Sequence, residues 1–166
     1  MSGKSEALVE AVCRSPRRGP KRAVPEIRLI PGIGVEHDAH AGTGDREVSL
    51  LALESHQRFQ PLTQVRLYPG IFGENITTRG IDFAGLKVGD HLHAGECLLE
   101  ITRKGKECPA PCAISRHVGE CIMPRECVFA RVVRGGVLRP GDSIQSDIRD
   151  RNKAERGDRY QVTGKP

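Results

Sequence analysis

The sequence predicts a mainly β domain whose strands close into a small barrel, with a few short helices between them. Three observations lead there. Nineteen glycines and eleven prolines are spread through 166 residues and cut the chain into short apolar runs, the texture of strands joined by turns. The segment EITRK alternates Ile101 against Thr102 and Arg103, as a half-buried strand does. Finally, Val88-Gly89-Asp90-His91-Leu92 and Pro140-Gly141-Asp142-Ser143-Ile144 echo each other. Each sets a Gly-Asp turn ahead of a strand-like stretch, with glycine free to take positive φ and aspartate bonding locally. Repeated hairpin turns of this kind suit a closed barrel better than a doubly wound sheet.

In chain order, strands are predicted at residues 7–13, 24–30, 74–77, 97–103, 129–133 and 143–148. One helix is predicted to start at Ser49, an N-cap residue type, and to run through LLALESHQRF. A second surrounds residues 112–118. Residues 6–148 form one domain of common size, long enough to bury a single core. Residues 1–5 are expected to fray. The polar stretch 149–166 has little apolar content and is expected to be a loose tail or a short surface helix.

A net charge of +5 would suit an anionic partner. The basic residues are dispersed, however, and the densest group is Arg14, Arg17, Arg18, Lys21 and Arg22. Only six aromatic residues are present and tryptophan is absent, so the stacking platforms of single-strand nucleic-acid binding are missing. Nucleic acid is therefore not the expected partner; a phosphate-bearing small molecule fits the charge better. The opening MSGKSEALVEAV lacks a basic segment followed by a long apolar run. No stretch reaches eighteen uninterrupted apolar residues. The expectation is a cytoplasmic protein, not associated with a membrane, in which the thiol pool keeps cysteines from forming a structural disulfide framework.

Four of the six cysteines, Cys108, Cys112, Cys121 and Cys127, fall within twenty positions. Cysteine attacks as a thiolate, carries sulfur and binds soft metals. Cys112 sits among turn residues and near Arg103, Lys104, Lys106, Arg116, His117 and Arg125 in sequence, cations that would favour its thiolate. Cys13 and Cys97 lie in strand-like stretches and read as core. Cys108 and Cys121 could be resolving or sulfur-relay thiols, or simply buried, and Cys127 shares that ambiguity. Cys108-x3-Cys112 is compatible with zinc, yet the later spacings of eight and five residues do not repeat it, and paired C-x2-C knuckles are absent.

Other polar groups gather in two places. His37, Asp38 and His40 stand in a glycine-bounded loop and could bind a metal or position a proton. Equally, Asp38 could bond loop amides with His40 packed beneath it. Glu74 and Asn75 could cap a turn or meet a ligand. Arg46 and Arg125 could clamp a cofactor phosphate bidentately, or form surface ion pairs. No P-loop, G-x-G-x-x-G or G-x-S-x-G pattern occurs.

Read together, GIGVEHDAHAG (32–42), REVSLLALES (46–55), PGIFGENITTRGIDFAGLKVGD (69–90), KECPAPCAI and GECIMPRE with VFARVVRGGVLRPGD resemble the MOSC domain family, named after the C-terminal domain of molybdenum cofactor sulfurase. The cysteine-rich ending is similar to stand-alone bacterial members associated with molybdenum cofactor biosynthesis. The resemblance implies a mostly β barrel that carries sulfur on a cysteine, or binds the molybdenum–pterin cofactor through one. Cys112, in Pro111-Cys112-Ala113-Ile114, matches the family cysteine. The candidate catalytic set is Cys112, from the resemblance, with Cys108 and Cys121 as candidate resolving thiols. From the residues themselves, Asp38, His40, Arg46, Glu74, Asn75 and Arg125 are the candidate cofactor-binding set. There are two departures: His37 stands where relatives usually carry glycine, and Pro109 where histidine often follows the first cysteine.

The expected function is therefore sulfur or molybdenum cofactor handling through Cys112. The chain has no room for a pyridoxal-phosphate domain, so a cysteine desulfurase or another donor would supply sulfur, and a molybdoenzyme or cofactor-biosynthesis protein would accept it. Two alternatives remain. One is a molybdenum-cofactor-dependent oxotransferase or reductase with Cys112 ligating the metal, the only metal ligand proposed. The other is a zinc-binding module with a basic face for nucleic acid.

Overall fold

A computed structural model describes residues 6–108 and 110–147. The predicted frayed start, the tail, Pro109 and Ile148 lie outside the described residues. The chain is mainly β. Strand β1 (Leu8–Arg14) is followed by β2 (Arg22–Val24), β3 (Ile27–Ile30), β4 (Gly34–Val35) and β5 (Val48–Ala52), and then by helix α1 (Leu53–Phe59). Next come β6 (Ile76–Arg79), β7 (His91–Ala94), β8 (Cys97–Lys104), α2 (Ala113–Val118) and α3 (Met123–Glu126). Strands β9 (Val128–Arg134), β10 (Gly136–Leu138) and β11 (Ile144–Ser146) complete the described chain.

The strands form an eight-stranded sheet, ordered β11-β7-β8-β9-β5-β6-β1-β2, and a three-stranded sheet, β10-β3-β4. The β5–β6 ladder is parallel; the other ladders are antiparallel. These ladders do not close into the expected barrel. Strand β6 takes one edge of β1, and β2 takes Val12, Cys13 and Arg14 on the other. Only the start of β1 is left to face the last strand, where a lone bridge joins Leu8 to Ser143.

Both Gly-Asp turns behave as their chemistry requires. Lys87 N–H donates to Asp90 Oδ2 at 2.7 Å and Arg139 N–H to Asp142 Oδ2 at 2.8 Å. Gly89 and Gly141 take φ of 95° and 92°, a region closed to most side chains. The strands that follow, β7 and β11, pair with each other.

Two expected elements are corrected. Ser49 does not cap a helix: residues 48–52 are a central strand, and the helix starts only at Leu53. Val48, Leu50 and Ala52 face the main core, while Leu51 faces a second one. A strand buried on both faces loses the period-two signal and is indistinguishable from a short buried helix by pattern. The single strand expected at 24–30 is broken at Pro25, which has no N–H to donate. Strand β2 stays with β1, and β3 crosses to the smaller sheet.

The main core gathers residues from both sheets, among them Val12, Leu29, Leu50, Leu99 and Ile144. The second core lies beneath the helices, where Leu51, Phe59, Phe72, Ile114, Met123 and Phe129 meet. Along β8, Cys97, Leu99 and Ile101 point inward and Leu98, Glu100 and Thr102 are half-buried, as the alternation predicts.

Candidate functional site

Cys112 occupies the position just before α2, with extended backbone at φ −100° and ψ 179°. Its carbonyl accepts from Arg116 N–H at 3.0 Å, while Ile114 and Val118 anchor the helix in the second core. The cysteine is thereby held at the surface. Its thiol feels some burial, which favours the neutral form. The backbone N–H groups of Ser115 and Ile114 and the Lys106 ammonium outweigh that and lower its pKa.

The cationic surroundings expected from sequence are mostly engaged elsewhere. Arg103 stands 3.8 Å from Asp45 and Arg125 pairs with Glu120 at 2.9 Å. Lys104 donates to the Ala84 carbonyl and Arg116 to that of Pro111. Backbone amides therefore do most of what the sequence assigned to side-chain charge.

Cys112 opens onto a cleft of about 680 Å³ whose lining includes Arg18, His40, Arg46, Asn75, Lys106 and Cys108. That volume falls within the range of small-molecule sites. Arg46 lies over the Phe129 ring at 5.8 Å, a cation–π contact that holds its guanidinium along the wall. Three permanent cations, Arg18, Arg46 and Lys106, line it together with Asp45 and Glu107, and Asp45 lies 3.8 Å from Arg103.

Beneath the cleft lies a polar layer. Asp38 is buried; its Oδ1 accepts from Ser15 N–H at 3.0 Å, its Oδ2 from His40 N–H at 3.1 Å, and both oxygens from Lys21 Nζ at 2.8 Å. Burial alone would raise its pKa. The contacts with His40, Lys21 and Ser15 prevail and hold it well below the usual carboxylate range. Asn75 Oδ1 accepts from both the amide and the hydroxyl of Ser49, and its Nδ2 donates to the Cys13 carbonyl. Glu74 is fully buried and bonds His56, Gly70 and Thr77.

The structure thus brings Cys112, Cys108, His40, Arg46 and Asn75 to one cleft. Asp38 and Glu74 serve as supports behind it. Cys121 is half-buried against the second core, and burial raises its thiol despite the Met123 amide. Arg125 lies elsewhere, on a separate cleft of about 590 Å³ with Glu54, Arg58 and Lys104. Cys13 and Cys97 are core residues, as expected; burial pushes them up to about 12 and about 11. Cys127 is also buried and is pushed up to about 12. Among the described residues, no group of three or more His, Cys, Asp or Glu side chains could hold a metal ion. No helix among the described residues is long and apolar enough to cross a membrane.

Sequence reasoning missed Lys21 and His56. Lys21 was visible only as one of five basic residues, yet its side chain is wholly buried. His56 hides in a segment expected to be plain helix, but its Nε2 lies 2.8 Å from Glu74 Oε1.

The MOSC domain profile matches residues 37–145, which takes in His40, Arg46, Asn75, Cys108 and Cys112. No curated protein matches the sequence. Among solved structures, the YuaD protein from Bacillus subtilis superposes with a TM-score of 0.69 at 18% identity, over 84% of this chain and 94% of that one. YiiM from Geobacillus stearothermophilus gives 0.66 at 18% identity, over 84% and 74%. YiiM from Escherichia coli gives 0.57 at 18% identity, over 85% and 68%. At such identity these likenesses speak for the fold, and the profile match over most of the chain speaks for the family: the chain belongs to the MOSC domain family.

Proposed function

We propose that the protein carries sulfur on Cys112 and presents it in the cleft, where the molybdenum cofactor or a precursor of it is the ligand. The observation that carries this reading is the placement of Cys112: an exposed thiol with a lowered pKa, opening onto a cleft with three permanent cations. Loading proceeds by thiol–disulfide chemistry. The Cys112 thiolate attacks the terminal sulfur of a donor persulfide, a new S–S bond forms at Cys112, and the donor S–S bond breaks. The donor thiolate leaves and takes up a proton. A cysteine desulfurase is the donor class that fits; a molybdoenzyme or a cofactor-biosynthesis protein is the acceptor class.

The residues present fit a molybdenum–pterin cofactor. Arg18, Arg46 and Lys106 would meet its anionic phosphate, and Cys112 offers a soft thiolate to the metal. When bound, the cofactor would supply oxygen-atom transfer chemistry. Within that reading, Cys112 orients the ligand through sulfur while Phe129 and Met123 keep one wall of the cleft apolar.

Metal-free protein incubated with a cysteine desulfurase and cysteine should gain one sulfur atom's mass on Cys112. Reduction should remove it, and Cys112→Ser should prevent it. Loading spread evenly over several cysteines would sink the carrier reading. Molybdenum that copurifies from a molybdenum-replete host and is lost in Cys112→Ser would favour the oxotransferase alternative.

A further inference from the structure

Lys21 is fully buried, and its ammonium has three N–H donors and no acceptor. Two of the donors reach Asp38 Oδ1 and Oδ2, each at 2.8 Å. The third points at His40 Nδ1, 3.2 Å away. Only a lone pair on Nδ1 can receive it. Asp38 Oδ2 also approaches this nitrogen, but at 3.6 Å, beyond hydrogen-bonding distance. With the third donor received there, Nδ1 carries the lone pair and the ring proton sits on Nε2.

Nε2 lies on the far side of the ring from Lys21. The His40 side chain is 34% exposed and lines the Cys112 cleft, and with Nδ1 turned to Lys21, Nε2–H is the ring donor left for a ligand there. The backbone supports this arrangement from both ends. Lys21 N–H donates to the Gly70 carbonyl at 2.7 Å, and His40 N–H donates to Asp38. Neither end of the Lys21–His40 contact is free to drift.

We infer that Lys21 is a positioning residue: it locks His40 as the Nε2–H tautomer, so that His40 donates to an oxygen acceptor of an anionic ligand in the cleft. The ligand class is an oxyanion, since Arg18, Arg46 and Lys106 line the same space. A histidine free to exchange tautomers would present an acceptor part of the time and would then repel such an oxygen. This rests on reading the cleft as the ligand site, though not on any chemistry at Cys112.

The test uses ring-nitrogen NMR of histidine-labelled full-length protein, with the His40 signals assigned by their absence in His40→Gln. The expected spectrum has Nδ1 unprotonated and Nε2 protonated. Inorganic phosphate, used as the probe, should move the Nε2–H signal. His40→Gln, whose amide can reach the Nε2 position as a donor, should bind phosphate within a few-fold of wild type. His40→Phe should bind about tenfold more weakly, the loss of one hydrogen bond to a charged group. Lys21→Met should abolish the single tautomer; if that variant fails to fold, the wild-type spectrum and the His40 pair still decide. A protonated Nδ1, phosphate leaving the Nε2–H signal in place, or equal binding by His40→Gln and His40→Phe would overturn the inference. Sulfur loading on Cys112, read by mass in the same sample, reports separately on the carrier reading.

Discussion

His56 and Glu74 form a hydrogen-bonded pair at 2.8 Å, sealed from solvent beneath the cleft. The same carboxylate oxygen, Oε1, also accepts from Gly70 N–H at 2.8 Å and from the Thr77 hydroxyl at 3.1 Å. His56 meets Phe72 edge to face with ring centroids 5.2 Å apart. One buried oxygen thus ties α1, the loop at 69–73 and β6 together, and that loop ends in Phe72 and Gly73 of the cleft wall.

Glu74→Ala should therefore act on stability before it acts on binding. It strands a buried imidazole, an amide and a hydroxyl at once. Each buried polar group left without its partner costs about 1–3 kcal/mol. Urea unfolding should show the midpoint falling by a corresponding amount. A loss under about 1 kcal/mol, below even a single stranded group, would mean that the Gly70 amide and His56 find other partners.

His37 is the one described non-glycine residue with positive φ, at 65°. Its side chain is mostly exposed, and its nearest charged neighbour is Glu36 at 4.0 Å. The left-handed conformation costs a residue with a Cβ about 1–2 kcal/mol, while glycine gives some of this back through its freer unfolded chain. His37→Gly should raise stability by about 0.5–1 kcal/mol, measured by thermal or urea unfolding. An unchanged or lowered midpoint would show that the His37 ring makes a contact worth keeping.

Alkaline pH gives a test of the buried thiols. Cys13, Cys97 and Cys127 start from an ordinary value of 9.0 and are pushed up to about 12, 11 and 12, mainly by burial. Their pKa values are raised on folding, so the unfolded chain loses these protons first. Stability is full below about pH 9 and falls as pH rises from there toward 11–12. With three thiols involved, the slope approaches about 4 kcal/mol per pH unit at its steepest. Cys127→Ala should lower that slope by about a third, in urea unfolding followed across pH 8–11. A slope untouched by the substitution would assign the alkaline loss to other groups.

Sequence legibility tracked the range of the interactions involved. Strands β1, β8 and β9 and the paired Gly-Asp turns were readable because alternation and turn chemistry are local. So was the start of α2 next to Cys112. Strand β5 was not, because Val48, Leu50 and Leu51 are buried on both faces and no period survives. Lys21 was not, because its burial depends on Asp38, seventeen residues away. Counting cations around Cys112 also misled: Arg103 and Arg125 are near in sequence, yet acidic partners hold both. The amides of Ile114 and Ser115 were implied only by the predicted start of α2, which does not weigh them against the side-chain cations.

If Cys112 carries sulfur as proposed, a second thiol must release it. Cys108 is exposed and lines the same cleft, whereas Cys121 is half-buried, does not line it and has a raised pKa. An attacking thiol must be ionised and must reach the inner sulfur of the persulfide. Cys108 meets the condition of access; Cys121 meets neither condition without local movement. On the carrier reading, the Cys108 thiolate would attack the Cys112 sulfur, a Cys108–Cys112 disulfide would form, and hydrosulfide would leave with the electron pair of the broken bond. Protein loaded on Cys112 should therefore release hydrosulfide and end as this disulfide, identified by non-reducing peptide mapping. Cys108→Ser should slow release at least about tenfold, while Cys121→Ser should leave the rate within about twofold, as the leaving group and the access to it are unchanged. If Cys121→Ser instead gives the larger loss, the relay runs through the second core and the segment 106–112 must shift to expose it.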